Sequence, residues 1–156
     1  MAKHIWSIVC RQAIVDRFTN SLSLIDAMEG FKIAVQPIAT TGKAIAAHVV
    51  TGVDFVVVSH WMRTKSDKPE DAKWRVRFLA PTGQPLGASE QTYSLHDNER
   101  ARNLLHARGF PVQNPGRYWV EVQQPRGKSG WSTVARIPLD VRIDVTPQVV
   151  PAPTKQ

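Results

Sequence analysis

The sequence predicts an all-β fold, an antiparallel sandwich of about seven to nine strands. Three observations carry that expectation. Residues 131–145 hold an apolar or β-branched residue at every second place: Trp131, Thr133, Ala135, Ile137, Leu139, Val141, Ile143 and Val145. Strict alternation of this kind puts one face of a strand in a core and the other in water. Eleven Pro and nine Gly are scattered among the apolar runs, which suits many short strands and turns. No βαβ rhythm and no internal repeat is visible.

The first strand is expected over 4–11, where His4, Trp6, Ile8 and Cys10 alternate with Ile5, Ser7, Val9 and Arg11. Bulk on both faces makes it central or covered. Ala13-Ile14-Val15 can extend it, and Asp16 to Ser21 is a turn cluster. Leu22 to Ala27 starts the return strand. Met28-Glu29-Gly30 is a bulge or bend, after which Phe31, Ile33 and Val35 restore the alternation up to Pro37. The Ala-rich stretch 38–52 reads either as helical turns or as another strand. Val53 to Arg63 is the most apolar strand, with Phe55, Val57, Ser59 and Trp61 on one face and Val56, Val58, His60 and Met62 on the other. Trp74, Val76, Phe78 and Ala80 alternate with Lys73, Arg75, Arg77 and Leu79. Pro81 to Gly87 is a turn, and Ala88 to Leu95 is the next strand.

Residues 99–108 read two ways. A short helix would gather Ala101, Leu104, Leu105 and Arg108 on one face, with Gly109 as its C-cap. Position between two strands of an all-β chain argues for a strand instead. Asn114-Pro115-Gly116 is a turn that opens the last large hairpin. Tyr118, Val120 and Val122 share one face of its first strand. The turn at Gln124 to Gly130 leads back into 131–145.

With 156 residues the chain makes one domain, expected over 1–145, followed by an extended Pro-rich tail over 146–156. The formal net charge of +7 is spread through both halves. An excess without a basic block favours solubility and weak attraction to anions, and does not define a nucleic-acid binder. The lone Cys10 permits no internal disulfide. The apolar run after Met1 is too short for a signal peptide. The longest near-apolar stretch, Val53 to Met62, falls well short of the roughly 20 residues a spanning helix needs. A cytoplasmic protein without membrane contact is expected; the oligomeric state is left open.

Two resemblances emerge. Asn114, Gly116 and Tyr118 sit as in the tyrosine corner of immunoglobulin-like sandwiches, with an acidic or amide residue four before the Tyr and a small residue two before it. Where antibody domains place Cys two after that Tyr, this chain has Val120. The resemblance implies an immunoglobulin-like β-sandwich without the disulfide. The order of the chain also resembles a family of small uncharacterised bacterial β-sandwich proteins, a domain of unknown function. The shared features are the Trp6 to Cys10 strand, Leu22-Ser23-Leu24-Ile25-Asp26 followed by Pro37, and Pro111-Val112 leading to Gly116-Arg117-Tyr118. That likeness implies the fold and a cytosolic setting, and no catalytic residue.

No motif assigns an activity, and the balance leans away from an enzyme. Cys10, in an apolar strand, reads as a small buried hydrophobe. Ser94, His96 and Asp97 are the residue types of a triad at a spacing that cannot hold the relay, which separate elements normally assemble. None of His4, His48, His60, His96 and His106 lies at metal-ligand spacing, and His60 reads as a hydrogen-bonded core histidine. Gly127-Lys128-Ser129 shares letters with a phosphate loop, yet it leads into a strand and reads as a turn. No catalytic residue, metal or cofactor is assigned. The one candidate binding face is the outward side of the strands: Arg75, Arg77, Arg117, Trp119, Arg136 and Arg142. Arg beside an exposed aromatic anchors a protein partner or stacks on bases. Cross-strand pairing of these Arg with Glu121, Asp140 and Asp144 is the plainer reading. The expected function is a non-catalytic binding or adaptor module with a protein partner. The alternative is a weak binder of nucleic acid or another polyanion; the second alternative is an enzyme whose site is assembled in space, which would need a concave site joining at least two of His60, His96, His106, Asp54 and Asp97.

Overall fold

A computed structural model describes residues 2–35, 51–64 and 69–145. Among them there are nine strands and no helix: β1 (Lys3–Val15), β2 (Leu22–Ala27), β3 (Gly30–Val35), β4 (Thr51–Met62), β5 (Asp71–Leu79), β6 (Pro85–Ser94), β7 (Arg100–Val112), β8 (Gly116–Arg126) and β9 (Gly130–Val145). One sheet has the order β2-β1-β4-β7 and the other β3-β9-β8-β5-β6. The all-β sandwich is therefore what the alternation predicts. The expectations for 38–50 and for the tail 146–156 fall outside the described residues.

One pairing departs from an antiparallel plan. β3 runs parallel to β9, Phe31 opposite Val141 and Ile33 opposite Ile143. The bend expected at Met28-Glu29-Gly30 is a crossing from one sheet to the other. The Met28 N–H donates to the Val9 carbonyl (2.8 Å) in the first sheet, and the Glu29 carbonyl accepts from the Asp140 N–H (2.9 Å) in the second. Gly30 is required there: a Cβ would lie 2.1 Å from the Asp140 carbonyl oxygen.

Residues 99–108 form a strand, not the short helix. β7 lies beside β4, with Leu105 opposite Val57 and Leu104 opposite Val58. The two leucines thus serve opposite faces of the sheet, and long-range pairing overrides the local helical preference. Gly109 caps nothing. At φ 62° it sits in a bulge where its N–H donates to Asp54 Oδ1 (2.8 Å).

The main core lies between the sheets. Val9, Phe55, Val57 and Trp61 from one meet Trp74, Val76, Tyr118, Val120, Val122, Leu139 and Val141 from the other. A smaller cluster of Cys10, Val56 and Val58, packed by Trp6, Ile8, Leu24 and Leu104, occupies the opposite face of the first sheet. That is why both faces of β1 and β4 carry bulk. The tyrosine corner is formed. Tyr118 OH donates to the Asn114 carbonyl (2.8 Å) and accepts from the N–H groups of Gln113 and Asn114 (3.2 Å each). Val120, where a Cys would stand in antibody domains, is fully buried.

Two bulges change faces. Between His4 and Trp6 the β1–β4 register slips. His4 therefore leaves the Trp6 face expected for it. It bonds the Ser7 hydroxyl (2.7 Å) and meets the Trp61 ring at 5.0 Å, while Trp6 meets His60 at 5.4 Å. Between Val122 and Gln123 the β8–β9 register slips as well, so Val122 opposes Ala135 while Gln123 opposes Thr133. Val134 is the extra residue. It and Ala135 both pack on the core. The expected single apolar face of 131–145 is broken there, and Trp131 and Thr133 turn to the outer side.

Candidate binding face on the outer side of the second sheet

The strands β5, β8 and β9 lie side by side and bring all six candidate residues onto one outer surface. Period-two geometry sends Trp74, Val76, Tyr118, Val120 and Val122 into the core and their neighbours outward. Arg75 then opposes Gln123, Arg77 opposes Glu121, Arg117 opposes Asp140, and Glu121 opposes Arg136. Trp119 lies between Leu79 and Pro138. It is half-buried and lies on the sheet opposite to the one that holds 99–108. Arg142 stands further along β9, beside Lys32 of β3, away from the Trp119 centre.

Three of the arginines, Arg75, Arg117 and Arg136, are engaged rather than free. The Arg136 guanidinium stacks over the Trp119 ring at 4.1 Å, with its Nε 3.6 Å from Glu121. Arg75 stacks over Trp131 at 4.6 Å, donates from Nε to Gln123 Oε1 (2.7 Å) and reaches Glu90 at 3.8 Å. Gln123, itself buried, donates to Thr133 Oγ1 (3.1 Å) and Glu121 Oε2 (3.4 Å). A continuous chain of contacts therefore runs Glu90, Arg75, Gln123, Glu121, Arg136, Trp119 across four strands. Arg117 forms a fork with Asp140, from Nε at 2.7 Å and Nη2 at 3.1 Å. The hydrogen bond from Arg117 holds the Asp140 carboxyl below the usual carboxylate range, and its partner's guanidinium is pushed up by the same contact. Arg77 makes no hydrogen bond or ion pair among the described residues. It borders a shallow recess with Pro85, Leu86 and Ala88.

The plainer reading of the sequence, pairing of Arg with carboxylates, holds for Glu121 and Asp140, while Asp144 makes no such pair among the described residues. Two residues of the face were not anticipated, Trp131 and Gln123. Register counted back from the turn would have found Trp131: Arg126 pairs Gly130 and Pro125 pairs Trp131, so Trp131 follows Gln123 to the outer side.

The remaining candidates separate. Cys10 is fully buried, and burial pushes its thiol up. Ser94 Oγ accepts the backbone N–H of His96 (3.3 Å), whereas the His96 ring meets Asp71 at 3.3 Å. His60 is not a core histidine. It is half-buried on the outer side of the first sheet, in a recess with Trp6, Arg100 and Arg102. Burial first, and then the two guanidinium groups, hold its pKa below the ordinary value. That recess takes none of His96, His106, Asp54 or Asp97 to its walls. Among the described residues no three His, Cys, Asp or Glu side chains gather to hold a metal ion. Among the same residues no helix is long and apolar enough to cross a membrane.

No protein-family model matches the chain, and no curated protein sequence matches it. Among solved structures, one similar chain is described as the crystal structure of the C-terminal domain of wzt. It is 12% identical, with a TM-score of 0.48 over 90% of this chain and 72% of that one.

Proposed function

We propose that the protein is a non-catalytic binding module that engages another protein through the outer face of the second sheet, with Trp119 and Trp131 as its anchors. The observation that carries this reading is the pair of Arg–Trp stacks, at 4.1 and 4.6 Å, on one surface. Each holds a large aromatic at a fixed angle with little entropy left to lose, as interface anchors require. The charges argue for a protein over a polyanion. Arg75, Arg117 and Arg136 each already meet a carboxylate, so a phosphate backbone would have to displace Glu90, Asp140 and Glu121. A mixed-charge protein surface meets them as they stand. A cytoplasmic setting belongs to the same proposal, supported by the buried free thiol of Cys10. Kinship with the small bacterial sandwich proteins also belongs to it, supported by the Pro111 to Tyr118 entry folding as a tyrosine corner.

The test compares partner capture by the wild type, Trp119→Ser and Trp131→Ser, each checked for unchanged fold by circular dichroism. A partner retained by the wild type and lost by both variants is expected. Equal retention by all three removes the face from the function. In parallel, a random single-stranded oligonucleotide is titrated at low and moderate salt. Weak or absent binding is expected, and tight binding that collapses with salt would replace the protein partner with a polyanion.

A further inference from the structure

A separate feature lies on the outer side of the first sheet. Register across β1, β4 and β7 sets Trp6 opposite His60 and His60 opposite Arg102, so the three side chains form one row. The neighbouring row holds Lys3, Met62 and Arg100. Alternation puts Arg100 and Arg102 on the same side of β7, about 6.6 Å apart along the strand.

The hairpin of β1 and β2 folds over this side of the sheet. In the turn between them, the Asn20 carbonyl accepts from Arg102 Nη2 at 2.7 Å, and the Asn20 side-chain oxygen accepts from the same nitrogen. β4 separates β1 from β7 in the sheet, so the turn reaches across it to make that contact. A recess of about 750 Å³ remains between the hairpin and β7, with Trp6, Leu22, Leu24 and His60 among its lining residues. Ligand sites hold roughly 300–1,000 Å³.

The walls divide by chemistry. Trp6, Leu22 and Leu24 are half-buried and supply the apolar part, which favours a flat apolar group. Arg100, Arg102 and Glu99 bring two positive charges and one negative, and Glu99 is drawn toward Arg63 at 4.0 Å. Lys3 adds another positive charge in the neighbouring row, so the surroundings favour an anion. Both guanidinium groups act on His60: after burial, they are what holds its pKa below the ordinary value. The two arginines differ in what they have left to offer. Arg102 is already tied to Asn20. Arg100 is exposed and makes no hydrogen bond or ion pair among the described residues. Its planar fork matches the two oxygens of a carboxylate.

We infer that this recess binds a small carboxylate carrying an aromatic ring, with the carboxylate on Arg100 and the ring against Trp6, Leu22 and Leu24. The inference is independent of the face on the second sheet.

The test follows the Trp6 indole and His60 ring signals by NMR in the full chain. Four probes are titrated at pH 7.5: benzoate, acetate as the anion alone, benzyl alcohol as the ring alone, and phenyl phosphate. Saturable shifts of both residues with benzoate are expected, with acetate and benzyl alcohol each at least roughly fivefold weaker. Arg100→Gln should weaken benzoate at least about tenfold without changing Tm, since a charge-assisted fork is lost from an exposed side chain. Lys128→Gln removes the same charge from the turn between β8 and β9 and should leave binding unchanged. Saturating benzoate should raise the His60 midpoint, because a carboxylate held at Arg100 offsets the two guanidinium groups. Signals that ignore benzoate overturn the inference, and so does an equal loss in both variants, which would reduce it to overall charge. Acetate or benzyl alcohol binding as well as benzoate overturns the two-part site. Phenyl phosphate binding more tightly than benzoate overturns the carboxylate, and a His60 midpoint that stays or falls overturns its placement.

Discussion

Tyr118→Phe should destabilise the protein by about 1.5–2.5 kcal/mol, and the structure says where that comes from. The substitution deletes one oxygen. The ring stays, still buried against Phe110 at 5.6 Å, so no cavity opens. What goes is one hydrogen bond donated to the Asn114 carbonyl at 2.8 Å and two accepted from Gln113 and Asn114 at 3.2 Å. A typical net value is about 0.5–1.5 kcal/mol for each bond. Gln113 and Asn114 are exposed, so water can take up much of what the two longer bonds lose. That keeps the sum near the lower half of its range. For a domain of this size the loss corresponds to a fall in Tm of roughly 4–8 °C. Urea unfolding followed by far-ultraviolet circular dichroism is the assay. The midpoint should fall while the slope m stays fixed, since the exposed area is unchanged. A loss below about 0.5 kcal/mol would refute the claim that the corner holds the entry to β8. The same substitution at Tyr93, whose hydroxyl is buried and unpaired, should cost nothing. The contrast between the two tyrosines tests hydrogen-bond accounting independently of ring packing.

Gly30→Ala should cost about 3 kcal/mol or more, because a methyl group cannot share space with the Asp140 carbonyl oxygen unless β3 and β9 part. A melting temperature within a few degrees of the wild type would contradict it. Cys10 should resist a thiol reagent such as 5,5′-dithiobis(2-nitrobenzoate) at neutral pH in the native protein and react once urea unfolds it, since it is fully buried and its pKa is raised; rapid native labelling would show the strand exposed. His4 and His60 should titrate below 6.5 by NMR, burial being the first cause for both. Because their folded pKa values lie below the unfolded one, the unfolded chain binds more protons between the two. Stability should therefore fall as pH drops below about 6.5 and level off below the folded values. A midpoint above 6.5 for either ring would reverse that sign.

The core was legible from the sequence because period-two alternation reports burial directly. Phe55, Val57 and Trp61, or Tyr118, Val120 and Val122, needed no partner to be placed. Short-range chemistry was legible too: the spacing of Asn114, Gly116 and Tyr118 is enough to specify the corner. What failed depended on pairing. Leu104 and Leu105 fit a helical stripe as readily as two faces of a strand, and only the register against Val57 and Val58 decides between them. The crossing at Met28 and Glu29 looked like a local bend because each of its hydrogen bonds is made to a residue far along the chain. The row of Trp6, His60 and Arg102 was beyond reach for the same reason. Its members come from three strands, and no spacing in the sequence connects them.

The bulge at Val134 shows how a contradiction in a sequence can be read as structure. Counting from the turn, Trp131 pairs Pro125 and belongs with Gln123, Glu121 and Trp119 on the outer side. Counting from the core, Leu139 and Ile137 must point inward with Tyr118 and Val120, whose partners they are. A regular ladder cannot satisfy both, since a one-residue slip exchanges every side chain between faces. One extra residue between Thr133 and Ala135 removes the conflict, and the ladder shows it there. The same strand then supplies Leu139 and Val141 to the core and Trp131 to the surface. There Trp131 stacks under Arg75 on the face that also carries Trp119 under Arg136. Bulges persist because they re-aim a side chain at some cost to pairing. Here the residue re-aimed is the second of the two tryptophans on which the proposed interface rests, so the irregularity in the ladder and the Arg–Trp stack it creates are one feature.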